Sequence, residues 1–339
     1  MPASPTPVSL LLVPHRASHE VDASQTMART LEVVDTAAAG GFTACYFPEH
    51  HLRDDDYVAS PLTLAAHVTG RWPSLRVGTG VALPALHNPL TMAEQLATLD
   101  IASGGRLHVV GIGLGNIPAE FAALGIPHGE MVRRFVGAID VLRRLWRGET
   151  VTAAAGTLQL DGARLGPRSP HHDEAPLAVG AMSDRGVRRA ARLSLPWLTD
   201  PMQSLEQLRR WADLYWDEAG PTGRVILMRQ AWPAATRDQA VQAWWPHARD
   251  QIFTFSIGHD RLPSEAGLKE VRRPEDIELG QFEPRYLLGP PAAIVEDLEQ
   301  MAASLGASEV VVRVGFGSGP PHAAVVDAVG QLGRAFLGR

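Results

Sequence analysis

Three short stretches of this chain carry residue types that could do chemistry. The first is Pro48-Glu49-His50-His51, directly after an apolar run at 43–47. Imidazole exchanges protons near neutral pH, so His50 and His51 could serve as acid or base beside the Glu49 carboxylate. The same pair could also lie solvated on a loop or ligate a metal. No metal is expected, because the first apolar run ends in Pro14-His15-Arg16 rather than the His-x-His of a metal-dependent barrel hydrolase. The second stretch is Gly111-Ile112-Gly113-Leu114-Gly115-Asn116. Its glycines permit positive φ or let backbone approach a flat ligand, and a purely structural turn explains them too. The third is Gly180-Ala181-Met182-Ser183-Asp184-Arg185. Ser183 at a helix start can cap that helix through its hydroxyl. The same helix start offers free N–H groups and a positive dipole end, a seat for phosphate to which Arg185 would add a charged contact. Elsewhere, His171-His172 in a polar loop reads as exposed. His108 within an apolar run reads as a satisfied core or lining residue. His15 is a weaker lining candidate, and Cys45 reads as a small buried residue.

The elements that must position these stretches are legible as an alternation. Apolar runs at 8–13, 43–47, 75–83, 107–112, 176–179, 196–199, 224–231 and 309–314 read as eight strands. Helical segments lie between them. In the clearest, 130–147, Met131, Phe135, Ala138, Leu142 and Leu145 form one stripe at steps of three and four. Helix-length crossovers force parallel pairing. Eight such units with few charges in the strands predict an α/β fold, a single (β/α)8 TIM barrel over 1–339. The competing doubly wound open sheet would carry a glycine loop after the first strand, and none is there. Residues 151–160, with Gly156 between β-prone residues, read as a small hairpin laid over the barrel, and 256–286, without clear period, as an inserted lid. In such a barrel all three stretches end strands and face one mouth.

The bulk numbers narrow the partners. A length of 339 residues fits one large domain or two ordinary ones. A net charge of −6 without a basic block argues against nucleic acid or an anionic membrane surface. No apolar run approaches the ~20 residues of a membrane span. Residues 1–7 lack the charge and apolar core of a secretory signal. A single cysteine cannot form an internal disulfide, which fits a reducing cytoplasm.

The ordered motifs resemble the bacterial luciferase-like monooxygenases. Residues 47–51 are similar to the Glu-His-His signature after that family's second strand, and Arg76-Val77-Gly78-Thr79-Gly80-Val81 resembles its third strand. Leu86-His87-Asn88-Pro89-Leu90, Ala93-Glu94-Gln95, Leu99-Asp100 and Ser103-Gly104-Gly105-Arg106-Leu107 follow in family order. Gly113-x-Gly115, Glu120-Phe121, Leu124-Gly125 and Leu288-Gly289-Pro290-Pro291 complete a likeness over about 8–338.

The resemblance implies that reduced FMN binds at the barrel mouth and reacts with oxygen, one atom passing to a small organic substrate. It implies cofactor contacts at Thr79, Gly80, Gly113, Gly115, Ser183 and Arg185, and catalytic roles for Glu49, His51 and, chiefly, His50. A separate reductase would supply the reduced flavin, and the enzyme would be a homodimer. The helices at 60–70 and 90–102 carry Ala65, Ala66, Ala93 and Ala97, small residues that suit close packing between copies or onto the barrel. Luciferases have a cysteine and an arginine where this chain has Gly113 and Leu114. Arg185 or a nearby basic residue must therefore replace a phosphate contact, and light emission is not implied. Two alternatives remain: hydride transfer with a deazaflavin, which uses no oxygen, and a non-catalytic flavin-binding barrel.

Overall fold

A computed structural model of the chain describes residues 6–14, 22–53, 55, 57, 59–155, 157–257, 271–282, 285–316 and 319–338. The strands are β1 Val8–Leu11, β2 Ala44–Phe47, β3 Arg76–Ala82, β4 Leu107–Ile112, β5 Val151–Ala155, β6 Leu158–Ala163, β7 Leu177–Gly180, β8 Trp197–Leu198, β9 Val225–Pro233, β10 Tyr286–Gly289 and β11 Ala307–Arg313. The helices are α1 Ala23–Ala39, α2 Pro61–Arg71, α3 Pro89–Ser103, α4 Pro118–Ala123, α5 Met131–Trp146, α6 Asp184–Arg192, α7 Leu205–Ala219, α8 Arg237–Gln251, α9 Leu279–Phe282, α10 Pro291–Leu305 and α11 His322–Leu337.

Eight parallel strands close in the order β1-β2-β3-β4-β7-β8-β9-β11, with β11 returning to β1. This is the (β/α)8 barrel the sequence predicts. The antiparallel pair β5–β6 is the expected hairpin. A short strand not expected from the sequence, β10, pairs with the upper end of β9, setting Tyr286 beside Gln230 and Gly289 beside Pro233.

Alternation along the strands builds two apolar layers. Leu11, Tyr46, Val109, Ala178, Leu198, Met228 and Val311 fill the barrel interior. Leu10, Cys45, Phe47, Val77 and Val110 face the helices instead, where Phe135, Ala138, Leu142 and Leu145 of α5 present their stripe. Burial pushes the Cys45 thiol up to about 12, which leaves it inert. Gly111 is required by close approach: a Cβ there would sit 2.3 Å from the Thr79 carbonyl oxygen. Low in the barrel, the buried Glu309 carboxylate accepts from Ser9 Oγ (2.7 Å), Tyr46 Oη (3.0 Å) and His108 Nε2 (3.0 Å). His108 is thus a satisfied interior residue.

Three expectations need adjustment. His171 is exposed, but His172 donates to the Leu107 carbonyl at 3.0 Å and lies 3.5 Å from Asp100. Residues 258–270 of the expected lid lie outside the described residues. Its second half is not an open cover: Val271, Ile277 and Phe282 are buried, and Tyr286 begins β10. Apolar residues spaced among the charges anchor that half to the barrel side. Ala65, Ala93 and Ala97 are buried within this chain, while Ala66 is exposed. No helix among the described residues is long and apolar enough to cross a membrane.

Candidate active site

The C-terminal mouth of the barrel holds a cavity of about 490 Å³, within the roughly 300–1,000 Å³ of small-molecule sites. Its wall includes His50 after β2, Gly80 and Val81 of β3, Gly113 and Gly115 after β4, Ser183 at the head of α6, and Arg313 of β11. The Gly80–Val81 peptide, on this wall, is cis.

Glu49 anchors the loop that carries His50. Its backbone N–H donates to the Val81 carbonyl at 3.0 Å, and its Oε2 accepts from the Leu83 N–H at 2.8 Å. Oε1 accepts from His51 Nε2 at 2.8 Å and His87 Nε2 at 2.6 Å. Burial alone would raise this carboxyl's pKa. The hydrogen bonds from His51, His87 and Leu83 outweigh it and hold Glu49 at about 2. The Glu49 bond in turn raises the pKa of His51, against the effect of burial. These three side chains place donor atoms within 4.8 Å of one another, as a divalent ion would need. The direct hydrogen bonds already satisfy the set.

A second buried carboxylate, Glu120 of α4, reaches the same loop from across the mouth. Its Oε1 accepts the His51 backbone N–H at 2.8 Å and lies 3.3 Å from His50 Nδ1. Burial raises its pKa, but the contacts to His50 and His51 bring the net shift below the ordinary value. His50 also meets the Tyr57 ring edge-on at 5.0 Å between centroids. The carboxylate favours a proton on Nδ1 and fixes the ring orientation, as a second group does for a working imidazole. His50 therefore faces the cavity, whereas His51 turns its ring to Glu49 and braces the loop.

The remaining expected residues separate into two groups. Gly80, Gly113, Gly115 and Ser183 line the cavity. Thr79 is buried elsewhere, donating to the Gly111 carbonyl at 2.7 Å and tying β3 to β4. Ser183 caps α6 by accepting from the Gly186 N–H at 3.2 Å. Arg185 is exposed and is not part of the cavity wall. Arg189, one turn further along α6, takes that place, and burial lowers its pKa. Asp184, in the first turn of α6, pairs with Arg210 at 2.7 Å and Trp211 at 2.8 Å, and Arg189 in the last turn is the helix's cationic side chain on the cavity wall. His15 lies outside the described residues.

The sequence reading passed over His87, Glu120, Arg189 and Arg313. His87 and Glu120 stand inside the quoted motifs, but nothing local says that each points at the His50 loop. Arg189 had a usable signal: Ser183, Gly186 and Arg189 recur at steps of three and so share one face of α6.

Comparisons with known proteins agree with this architecture. The chain is 32% identical over 271 residues to 4-hydroxyprotoasukamycin monooxygenase of Streptomyces nodosus subsp. asukaensis, covering 74% of this chain and 72% of that protein. The fold matches the oxygenating constituent of 3,6-diketocamphane monooxygenase from Pseudomonas putida, a Type II Baeyer–Villiger monooxygenase solved in complex with FMN. The TM-score is 0.78 at 17% identity, over 99% of each chain. It also matches an F420-dependent secondary alcohol dehydrogenase, with a TM-score of 0.73 at 18% identity over 97% of this chain and 98% of that one. The luciferase-like monooxygenase family model spans residues 8–309, and on that match this chain belongs to the luciferase-like monooxygenases and is an oxidoreductase.

Proposed function

We propose that this enzyme uses reduced FMN and dioxygen to place one oxygen atom on a small organic substrate. The observation that carries the reading is one cavity with His50, backed by the buried Glu120, on its wall and a phosphate-suited helix start at its edge. The residues fit a flavin. Gly80, Gly113, Gly115 and Gly180 bring bare backbone to the wall, where a flat ring can lie. Ser183, the α6 N-terminus and Arg189 suit a phosphate. The FMN complex of a neighbour of the same fold and the monooxygenase relative support the same reading.

Reduced FMN, when bound, supplies the electrons that activate oxygen. The protein's part is positional and acid–base. Leu11, Val13, Val81, Met228 and Ile252 keep the wall apolar, which limits water. His50 would hold and return a proton at the ring, with Glu120 orienting it. Glu49 and His51 hold the loop in place. We further propose a separate reductase as flavin donor and a homodimer as the working form.

Oxygen uptake and product formation with photoreduced FMN test the reading against reduced deazaflavin. Turnover of an organic substrate with FMN, matched to oxygen consumed, is expected. Substrate reduction by reduced deazaflavin without oxygen would overturn it. Binding of either cofactor without turnover across a broad substrate panel would favour the non-catalytic barrel.

A further inference from the structure

Three strands round the barrel from β7, the cavity wall is formed by the last residue of β11, Arg313. Its backbone is fixed between Leu11 of β1 and Gln230 of β9. Its Nε donates to the Gly315 carbonyl at 3.2 Å, and its guanidinium carbon lies 4.7 Å from the centroid of the Phe316 ring. Backbone, hydrogen bond and ring thus hold the group in one orientation. Nη2 is buried and has no hydrogen-bond partner among the described residues.

An unmet donor on a buried charged group is costly, so a protein that keeps one at a ligand cavity is preorganised for an acceptor. Burial lowers the pKa of Arg313, and Tyr57, Tyr286 and Asp200 offset only part of that effect. Asp200 also serves Arg229, which is near Arg285. Its Oδ1 is already occupied by the Met202 N–H at 2.9 Å and Gln203 Nε2 at 3.3 Å. The wall beside Arg313 is apolar, through Leu11, Val13 and Met228.

We infer that Arg313 anchors the substrate by an anionic oxygen, and that the substrate class is an organic carboxylate with an apolar body. A planar carboxylate can pair with the Nη edge of the guanidinium while its hydrocarbon lies along Leu11 and Met228. The inference rests on the reading that flavin takes the α6 side of the same cavity.

The test uses purified full-length protein and three probe pairs: benzoate, cinnamate and decanoate, each beside its primary amide. Calorimetry should find at least one carboxylate bound about tenfold or more tighter than its amide, the scale of one charge-assisted hydrogen bond. Arg313→Gln should erase that preference, and Arg313→Lys should restore part of it. Equal binding of acid and amide by the wild type, or no binding of any probe, overturns the inference without reliance on a variant. A preference retained in a folded Arg313→Gln protein overturns it as well. FMN affinity is read separately by fluorescence quenching in the same preparations. A wild type that shows no carboxylate preference yet binds FMN sinks this inference alone. Absent FMN binding in the wild type sinks the flavin reading and leaves the carboxylate anchor standing.

Discussion

Replacing Glu49 with glutamine removes the charge from which the His50 loop is hung. Glu49 is 2% exposed and titrates at about 2 against an ordinary 4.5. A pKa difference of about 2.5 corresponds to roughly 3 kcal/mol of folding free energy. The folded pKa is depressed, so this stabilisation is fully present above the unfolded value and is lost as pH falls from about 4.5 towards 2. His51 shows the other side of the same pair. Its pKa is raised from 6.5, so its contribution is present below that value and fades as pH rises through the raised one. The two describe one interaction and are not summed. Glutamine keeps an acceptor oxygen, so the measured loss should be about 2–3 kcal/mol. Urea unfolding followed by tryptophan fluorescence reads it directly. At pH 6, Glu49→Gln should be less stable by that amount, and the gap to wild type should close as the buffer is taken below about pH 4.5. Equal stabilities at pH 6, or a gap that does not change with acid, would refute the assignment of Glu49 as an ionised anchor.

His50→Ala should keep fold and flavin affinity yet slow oxygenation by ~10²-fold or more, with the unused reducing equivalents released as hydrogen peroxide. Wild-type coupling in that variant would remove His50 from the chemistry. Glu120→Ala should lower kcat in the same direction, and the double variant should be little worse than His50→Ala, since the two act as a unit; additive losses would separate them. Arg189→Gln should weaken FMN binding about tenfold or more while Arg185→Gln leaves it unchanged, and quenching titrations giving the reverse order would return the phosphate contact to Arg185. Glu309→Ala strands Ser9, Tyr46 and His108 in the barrel interior and should cost about 3–5 kcal/mol in denaturant unfolding; a loss below about 1 kcal/mol would mean that the cluster relaxes or hydrates.

The barrel was legible because its strands and helices are coded locally. A run such as Val225–Pro233 is buried at every position, and α5 carries its apolar stripe within one segment. β10 escaped notice because Tyr286–Gly289 is only four residues long and lies between Arg285 and Pro290. Its strand character comes from the free upper edge of β9, which no local pattern announces. The same holds for the buried part of 271–282, whose apolar residues are too sparse to show a period.

The candidate site divides along the same line. Strand ends place Glu49, His50, Gly113 and Ser183 at one mouth, and the barrel periodicity alone requires that. Which imidazole faces the cavity depends on partners far away in the chain. Glu120 is 70 residues from His50, and His87 is 38 residues from Glu49. Arg313 lies against Leu11 only because β11 closes onto β1. Residue types and secondary structure are written in short-range pattern. Side-chain pairing across the mouth follows from strand register, loop closure and burial, and these exist only once the barrel has closed.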